Sequence, residues 1–257
     1  FRDRGAVAPS YRADLVVVDD LEAFPPRLVI HAGQLAARNG EYLGPPRSPE
    51  ISLENTIHLA PLTESQFELP LASDTPPVIV ALGDQILTQR TLVRVACEQG
   101  RWQFDPAVDV LLVASIERHK ATGNIGLGLV QGFGLKRGAI GSSVAHDSHN
   151  VIVLGTNACD MLACTRALAD MGGGFVVADG GAIQARLPLP VAGLLSTAPA
   201  AVVCRQLEEV NAAARCMGCV LPNPFGTLSF LALPVIPELR ITDQGLFDVS
   251  RQAFVRL

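Results

Sequence analysis

A chain of 257 residues, 49% hydrophobic and only 18% charged, has the length for one large domain or two modest ones and the apolar content for a packed core. Its 20 Lys and Arg stand against 25 Asp and Glu, and a net charge of −5 offers neither a nucleic-acid footprint nor a polybasic membrane patch. Pro, Gly or charge interrupts every apolar run before it could span a bilayer, and the low charged fraction argues against long disorder.

The chain opens Phe1-Arg2-Asp3-Arg4-Gly5, with no Met and no secretory signal, as a processed product, a fragment or a sequence given without its upstream part would. Leu15–Val18 and Arg27–His31 are short apolar runs, and the Ala32-Gly33 pair before Gln34-Leu35-Ala36 predicts a β-hairpin. Residues 44–50, with three prolines, read as a linker and a domain boundary. Beyond it the pattern becomes α/β. Strands are predicted at Val78–Leu82, Asp109–Ala114 and Val151–Gly155.

After the third strand, Asn157 caps a helix with Asp160 in its first turn. Met161, Leu162, Thr165, Leu168 and Ala169 form its buried face, and Gly172–Gly174 stops it. Phe175–Ala178 resumes as a strand, so this strand–helix–strand unit is expected to be parallel and right-handed. Asp179-Gly180 turns the chain into a strand over 182–187. Val203, Leu207, Val210, Ala214 and Met217 mark an amphipathic helix over about 199–217. Pro222–Phe230 reads as a proline-fixed loop. Core packing suits Phe230 there, while Phe225 is left open between the core and the cover of a flat ligand.

The six cysteines lie at 97, 159, 164, 204, 216 and 219. Cys216-Met-Gly-Cys219 lacks the second ligand pair of a zinc knuckle, and reduced thiols in a cytoplasmic protein are the expectation. Gly123–Gly128 does not follow the dinucleotide fingerprint, and neither a Walker A sequence nor a nucleophile elbow occurs.

The densest polar segment is Ser142–Asn150. His146, Asp147 and His149 there could ligate a metal, move protons or hydrogen-bond a heterocycle; the plainer alternative is a polar turn in which Asp147 caps amides. Glu117-Arg118-His119-Lys120 follows the second predicted strand, where ligand loops gather in α/β sheets, and its plainer reading is a solvated charged turn.

Five strings, in this order and spacing, resemble the carboxy-terminal region of bacterial adenine deaminases. They are Arg118–Gly126, Gly132–Ile140, Ser142–Asn150, Leu187–Leu194 and Thr227–Pro237. Gly5–Val17 resembles the amidohydrolase segment that leaves the catalytic barrel and enters a small β-sandwich, with Ser10 where Gly is usual. The resemblance implies an α/β fold class. Residues 1–45 would be the end of the β-sandwich, 51–257 an α/β domain with a mixed sheet, and the catalytic TIM barrel would be absent from this chain.

It also implies hydrolysis of adenine to hypoxanthine and ammonia, in purine salvage or adenine catabolism, by an oligomeric enzyme. The family's Mn²⁺ or Fe²⁺ pair activates water through ligands that include an H-x-H pair. No H-x-H occurs here, so the metal ligands are expected outside this chain, on a barrel carried by missing or separate polypeptide. The isolated chain is then expected to be inactive. His146, Asp147, His149, Ser143, Arg118, His119 and Phe225 become candidates for lining the substrate pocket, with no certain catalytic group among them. Two other readings are a purine-binding or regulatory module without catalysis, and a self-sufficient metal site at His146–His149.

Overall fold

The computed structural model describes residues 2–45, 53–83 and 85–257, so the predicted linker lies outside the described residues from position 46 onward. The chain divides into two compact units, Phe1–Glu50 and Ile51–Leu257.

In the first unit β1 (Leu15–Val18), β2 (Pro26–His31), β3 (Gln34–Arg38) and β4 (Glu41–Tyr42) form an antiparallel sheet in chain order. The predicted hairpin is present, with His31 opposite Gln34 and both turn residues at positive φ (Ala32 +50°, Gly33 +79°). Asn39-Gly40 makes a second two-residue turn of the same kind between β3 and β4. No described residue of this unit is buried.

The second unit is built on a mixed eight-stranded sheet. In chain order come β5 (Pro77–Ala81), β6 (Thr88–Leu92), the small hairpin β7 (Ala96–Glu98) and β8 (Arg101–Gln103), β9 (Leu111–Ile116), β10 (Ile125–Gln131), β11 (Ala139–Ser142) and β12 (Val151–Gly155). Then follow α1 (Ala158–Asp170), β13 (Gly174–Asp179), β14 (Ala182–Pro188), α2 (Ala200–Cys216) and α3 (Pro224–Phe230). β15 (Leu239–Thr242), β16 (Gly245–Asp248) and β17 (Ala253–Phe254) close the chain as a separate three-stranded sheet. The large sheet runs β14-β13-β11-β12-β9-β10-β5-β6, antiparallel throughout except for the β5–β10 pair.

Its central strands are continuous apolar runs because both faces are covered. Leu111, Val113, Ile152, Leu154 and Val177 join one core with α2, α3 and the β15–β16 hairpin. Leu112, Ala114, Val151, Val153, Val176 and Ala178 point the other way, into a core with α1, Phe67 and Trp102. No helix among the described residues is long and apolar enough to cross a membrane.

Helix α1 forms as its sequence predicts. The Asn157 side chain accepts from the Asp160 amide at 2.9 Å, and Gly172, Gly173 and Gly174 all take positive φ after its last turn. β12 and β13 are parallel, as expected, but they are not neighbours: β11 lies between them, antiparallel to both. Gly141 of β11 makes the crossing close, since a Cβ there would sit 3.1 Å from Leu168 and 3.2 Å from Cys164 on α1.

The segment after Pro222 differs from its reading as a loop. Asn223 accepts from the Gly226 amide at 3.0 Å and Pro224 occupies the first helical position, so the prolines start α3. On α2, Val210 and Ala214 are buried as predicted, whereas Leu207 reaches 37% exposure at the outer edge of the stripe.

Candidate functional site

Strand register brings the two polar segments together. Val151 of β12 pairs with Ile116 of β9, so the turn after β9 and the turn before β12 leave the sheet side by side. The β11 end, the β13 start and the segment after β14 gather at the same edge, where Ser142 faces Phe175 and Gly174 faces Pro188.

Three side chains fix the backbone of this edge. Glu117 accepts from the amides of His119 (2.5 Å), Lys120 (2.9 Å) and Thr122 (2.9 Å) and from the Thr122 hydroxyl at 3.0 Å. Burial alone would raise its pKa, but these bonds favour the carboxylate and hold the group down to about 2. Arg118, 2% exposed, donates Nε to the His149 carbonyl, Nη2 to the Ala192 carbonyl at 3.0 Å and Nη1 to the Thr56 hydroxyl and carbonyl at 3.2 and 3.3 Å. Burial lowers its pKa without neutralising it, because a guanidinium remains charged far above pH 7.

Ser143 donates to the Gly193 carbonyl at 2.6 Å and accepts from the Gly174 amide at 2.7 Å. The fit depends on glycine: a Cβ on Gly193 would lie 2.6 Å from Arg118 Nη1, and one on Gly173 would lie 2.7 Å from Ser143 Oγ.

Four candidates face outward on this scaffold. The His119 Nε2 lies 2.7 Å from the Ser148 carbonyl, and because a carbonyl only accepts, that nitrogen carries the proton. The His146 ring lies 4.5 Å from Phe230 and 6.0 Å from the His149 ring, and its amide donates to the Ser229 carbonyl at 3.2 Å. The Asp147 side chain is 86% exposed and comes within 4.0 Å of His146 Nδ1, too open a contact to cap its own turn.

His149 adopts a left-handed backbone conformation (φ +49°) and donates its amide to Ala145 at 2.6 Å. Its ring Nδ1 is buried without a protein partner. Burial, then the nearby His146 and Arg118, lower its pKa, so the ring is neutral at pH 7 and can both give and take a hydrogen bond.

The structure therefore brings Arg118, His119, Ser143, His146, Asp147 and His149 together, and separates them by task. Arg118 and Ser143 are bound up with carbonyls and hold the loops; the imidazoles and Asp147 are the groups presented. Phe225 is elsewhere, 1% exposed in the core and stacked on Phe175 at 4.7 Å. Glu117 turns out to cap its own turn and is buried with Arg118, while His119 and Lys120 after them stay exposed. Thr56, Ala192 and Ser229 were not legible as site residues, since two of them contribute through backbone oxygens and Thr56 lies more than 60 residues before its partner. Among the described residues no three His, Cys, Asp or Glu side chains are arranged to hold a metal ion.

A family model described as the adenine deaminase C-terminal domain matches residues 85–253. The adenine deaminase of Methanothrix thermoacetophila is 47% identical over 257 residues, covering 100% of this chain and 45% of that protein. That of Dehalococcoides mccartyi is 46% identical over 248 residues, 96% of this chain and 43% of its own. Adenine deaminase 2 of Carboxydothermus hydrogenoformans is 42% identical over 252 residues, 96% and 44% respectively. The chain thus spans less than half the length of these curated relatives.

Proposed function

The chain belongs to the adenine deaminase C-terminal domain family, and on that premise we propose that it is the carboxy-terminal part of an enzyme that hydrolyses adenine to hypoxanthine and ammonia. The observation that carries this reading is the family match over residues 85–253, which includes all of the His119–His146–His149 edge. In the complete enzyme a Mn²⁺ or Fe²⁺ pair would supply an activated water. The described residues do not fit such a centre, since no set of three potential ligands converges among them. The metals are assigned to a barrel on further polypeptide.

This chain's own contribution is a wall of the pocket. Glu117, Arg118 and Ser143 hold the two turns rigid, and His146, Asp147 and His149 face the purine. A neutral His149 suits contact with an uncharged base, because it can hydrogen-bond without demanding a counter-charge. The first unit fits the end of a β-sandwich, since a four-stranded sheet with no buried described residue needs a second layer against it. Soluble, cytoplasmic and oligomeric assembly in adenine catabolism belong to the same proposal.

The test is adenine turnover in the complete enzyme and in this chain alone. Turnover is expected only when the barrel portion is present. His146→Ala in the complete enzyme is expected to lower kcat/KM for adenine by at least about tenfold, equivalent to about 1.4 kcal/mol. An unchanged kcat/KM would remove His146 from the pocket, and turnover by the isolated chain would overturn the division of labour.

A further inference from the structure

Among the described residues five buried side-chain atoms have no hydrogen-bond partner in the protein, and four of them belong to one corner: Ser115 Oγ, His149 Nδ1, Asn150 Oδ1 and Ser229 Oγ. Ser115, Asn150 and Ser229 are no more than 4% exposed. We propose that these three residues form a buried site for ordered water beneath the turn that carries His146 and His149, and that this water holds the His149 ring from behind through Nδ1. The inference goes beyond the deaminase reading and does not depend on it.

Topology sets the three oxygens on opposed surfaces of one layer. Ser115 of β9 pairs with Ile152 of β12, so both side chains point to the same face of the sheet, the one that packs on α3. Alternation places Asn150 on that face too, two residues nearer the edge. Diagonal neighbours across an antiparallel pair lie roughly 7 Å apart, a gap that a bridging water spans. On α3, Phe225, Leu228 and Ser229 stand at i, i+3 and i+4. The first two pack into the core with Ile152, so Ser229 looks at the sheet. The Ser229 carbonyl accepts the His146 amide at 3.2 Å, which ties this end of α3 to the histidine turn. On the other flank of Ser115 lies Gly126, where a Cβ would meet the backbone of Thr242 and Gly245. The β15–β16 hairpin thus closes the site from that side.

Unpaired polar atoms inside an apolar core are costly, and an interior water typically makes about three hydrogen bonds to such groups. Two hydroxyls that give and take, and one amide oxygen that takes, match what water offers in return. None of the four unpartnered atoms belongs to a charged side chain at neutral pH, so the corner suits a neutral molecule. The consequence for His149 follows from its two inequivalent ring nitrogens. The hydrogen bond made by one decides which of them carries the proton. With Nδ1 bound inside, Nε2 is the nitrogen left to present at the edge. Ser115, Asn150 and Ser229 act on the imidazole through the water, as positioning residues.

The experiment joins a crystal structure of the full 257-residue chain to imidazole nitrogen NMR of the same chain and of its Ser115→Ala/Ser229→Ala variant. The parent crystal should show a water oxygen within hydrogen-bond distance of two or more of the three side chains. A dry corner, or oxygens paired with protein atoms, would overturn the proposal. In solution the parent His149 should show the well-separated ring nitrogen shifts of a single neutral tautomer. Removing both hydroxyls should draw those shifts together toward a tautomer mixture, with His31 of the first unit as the unmoved control. Hydroxyls that served packing alone would lower the thermal midpoint and leave the His149 shifts in place, and that result would remove the positioning role. The parent crystal needs no variant, so it decides the water site even if the double substitution does not fold.

Discussion

Glu117 and Arg118 are adjacent in sequence and anchor different things. The carboxylate gathers amides of its own turn, and the guanidinium reaches across to His149, Ala192 and Thr56. Arg240 repeats the second device at the other end of the buried face. Its hydrogen bonds go to four carbonyls, and burial lowers its pKa to about 10, which still leaves it charged at neutral pH. Buried cations satisfied by carbonyls hold loops firmly, because releasing one leaves several oxygens without a donor. Glu117 gives this a pH signature. Its folded pKa of about 2 lies below the ordinary 4.5, so its contribution is present above 4.5 and fades as pH falls toward 2. Glu117→Gln should therefore be less stable than the parent at pH 7 by about 1–3 kcal/mol, with the gap closing in acid, as urea unfolding across that pH range would reveal. A gap that stays constant down to pH 2 would show that the carboxylate's charge is not what holds the turn.

At the scale of elements, close approach decides where glycine is needed. A Cβ on Gly126 of β10 would fall on the backbone of Thr242 and Gly245, where the β15–β16 hairpin crosses the sheet. Backbone cannot swing aside as a side chain can, so Gly126→Ala should push the hairpin off β10 or cost at least about 3 kcal/mol. Hydrogen exchange would read it as lost protection over 239–248; full protection there would contradict the crossing. The elements that were legible in the sequence carry complete local signals. α1 has its cap, its acidic first turn and its glycine stop, all within residues 157–174. α3 was hidden because Pro222 and Pro224 suggest a loop until Asn223 is recognised as a cap. β6, an edge strand reading Thr-Gln-Arg-Thr-Leu, has one buried residue and no apolar run to announce it. β11 lies in none of the predicted strands, and its place between β12 and β13 is a property of pairing, not of any one segment. The site divides in the same way. His146, Asp147 and His149 stand out as a dense polar run, whereas the carbonyls that orient them carry no side-chain signal.

The two units differ in what they can sustain alone. Residues 53–257 contain two apolar cores, one on each face of an eight-stranded sheet, and every contact of the His119–His146–His149 edge described above falls within them. Residues 2–45 form four strands with no buried residue, short of the apolar burial that offsets the entropy of ordering a chain. Cutting between them should therefore have unequal consequences. A polypeptide of residues 53–257 is expected to unfold in one cooperative transition, with a midpoint within a few degrees of the full chain's. A peptide of residues 1–45 is expected to show the circular dichroism of an unordered chain. Loss of cooperative unfolding on removing residues 1–52 would mean that the small sheet completes the larger core.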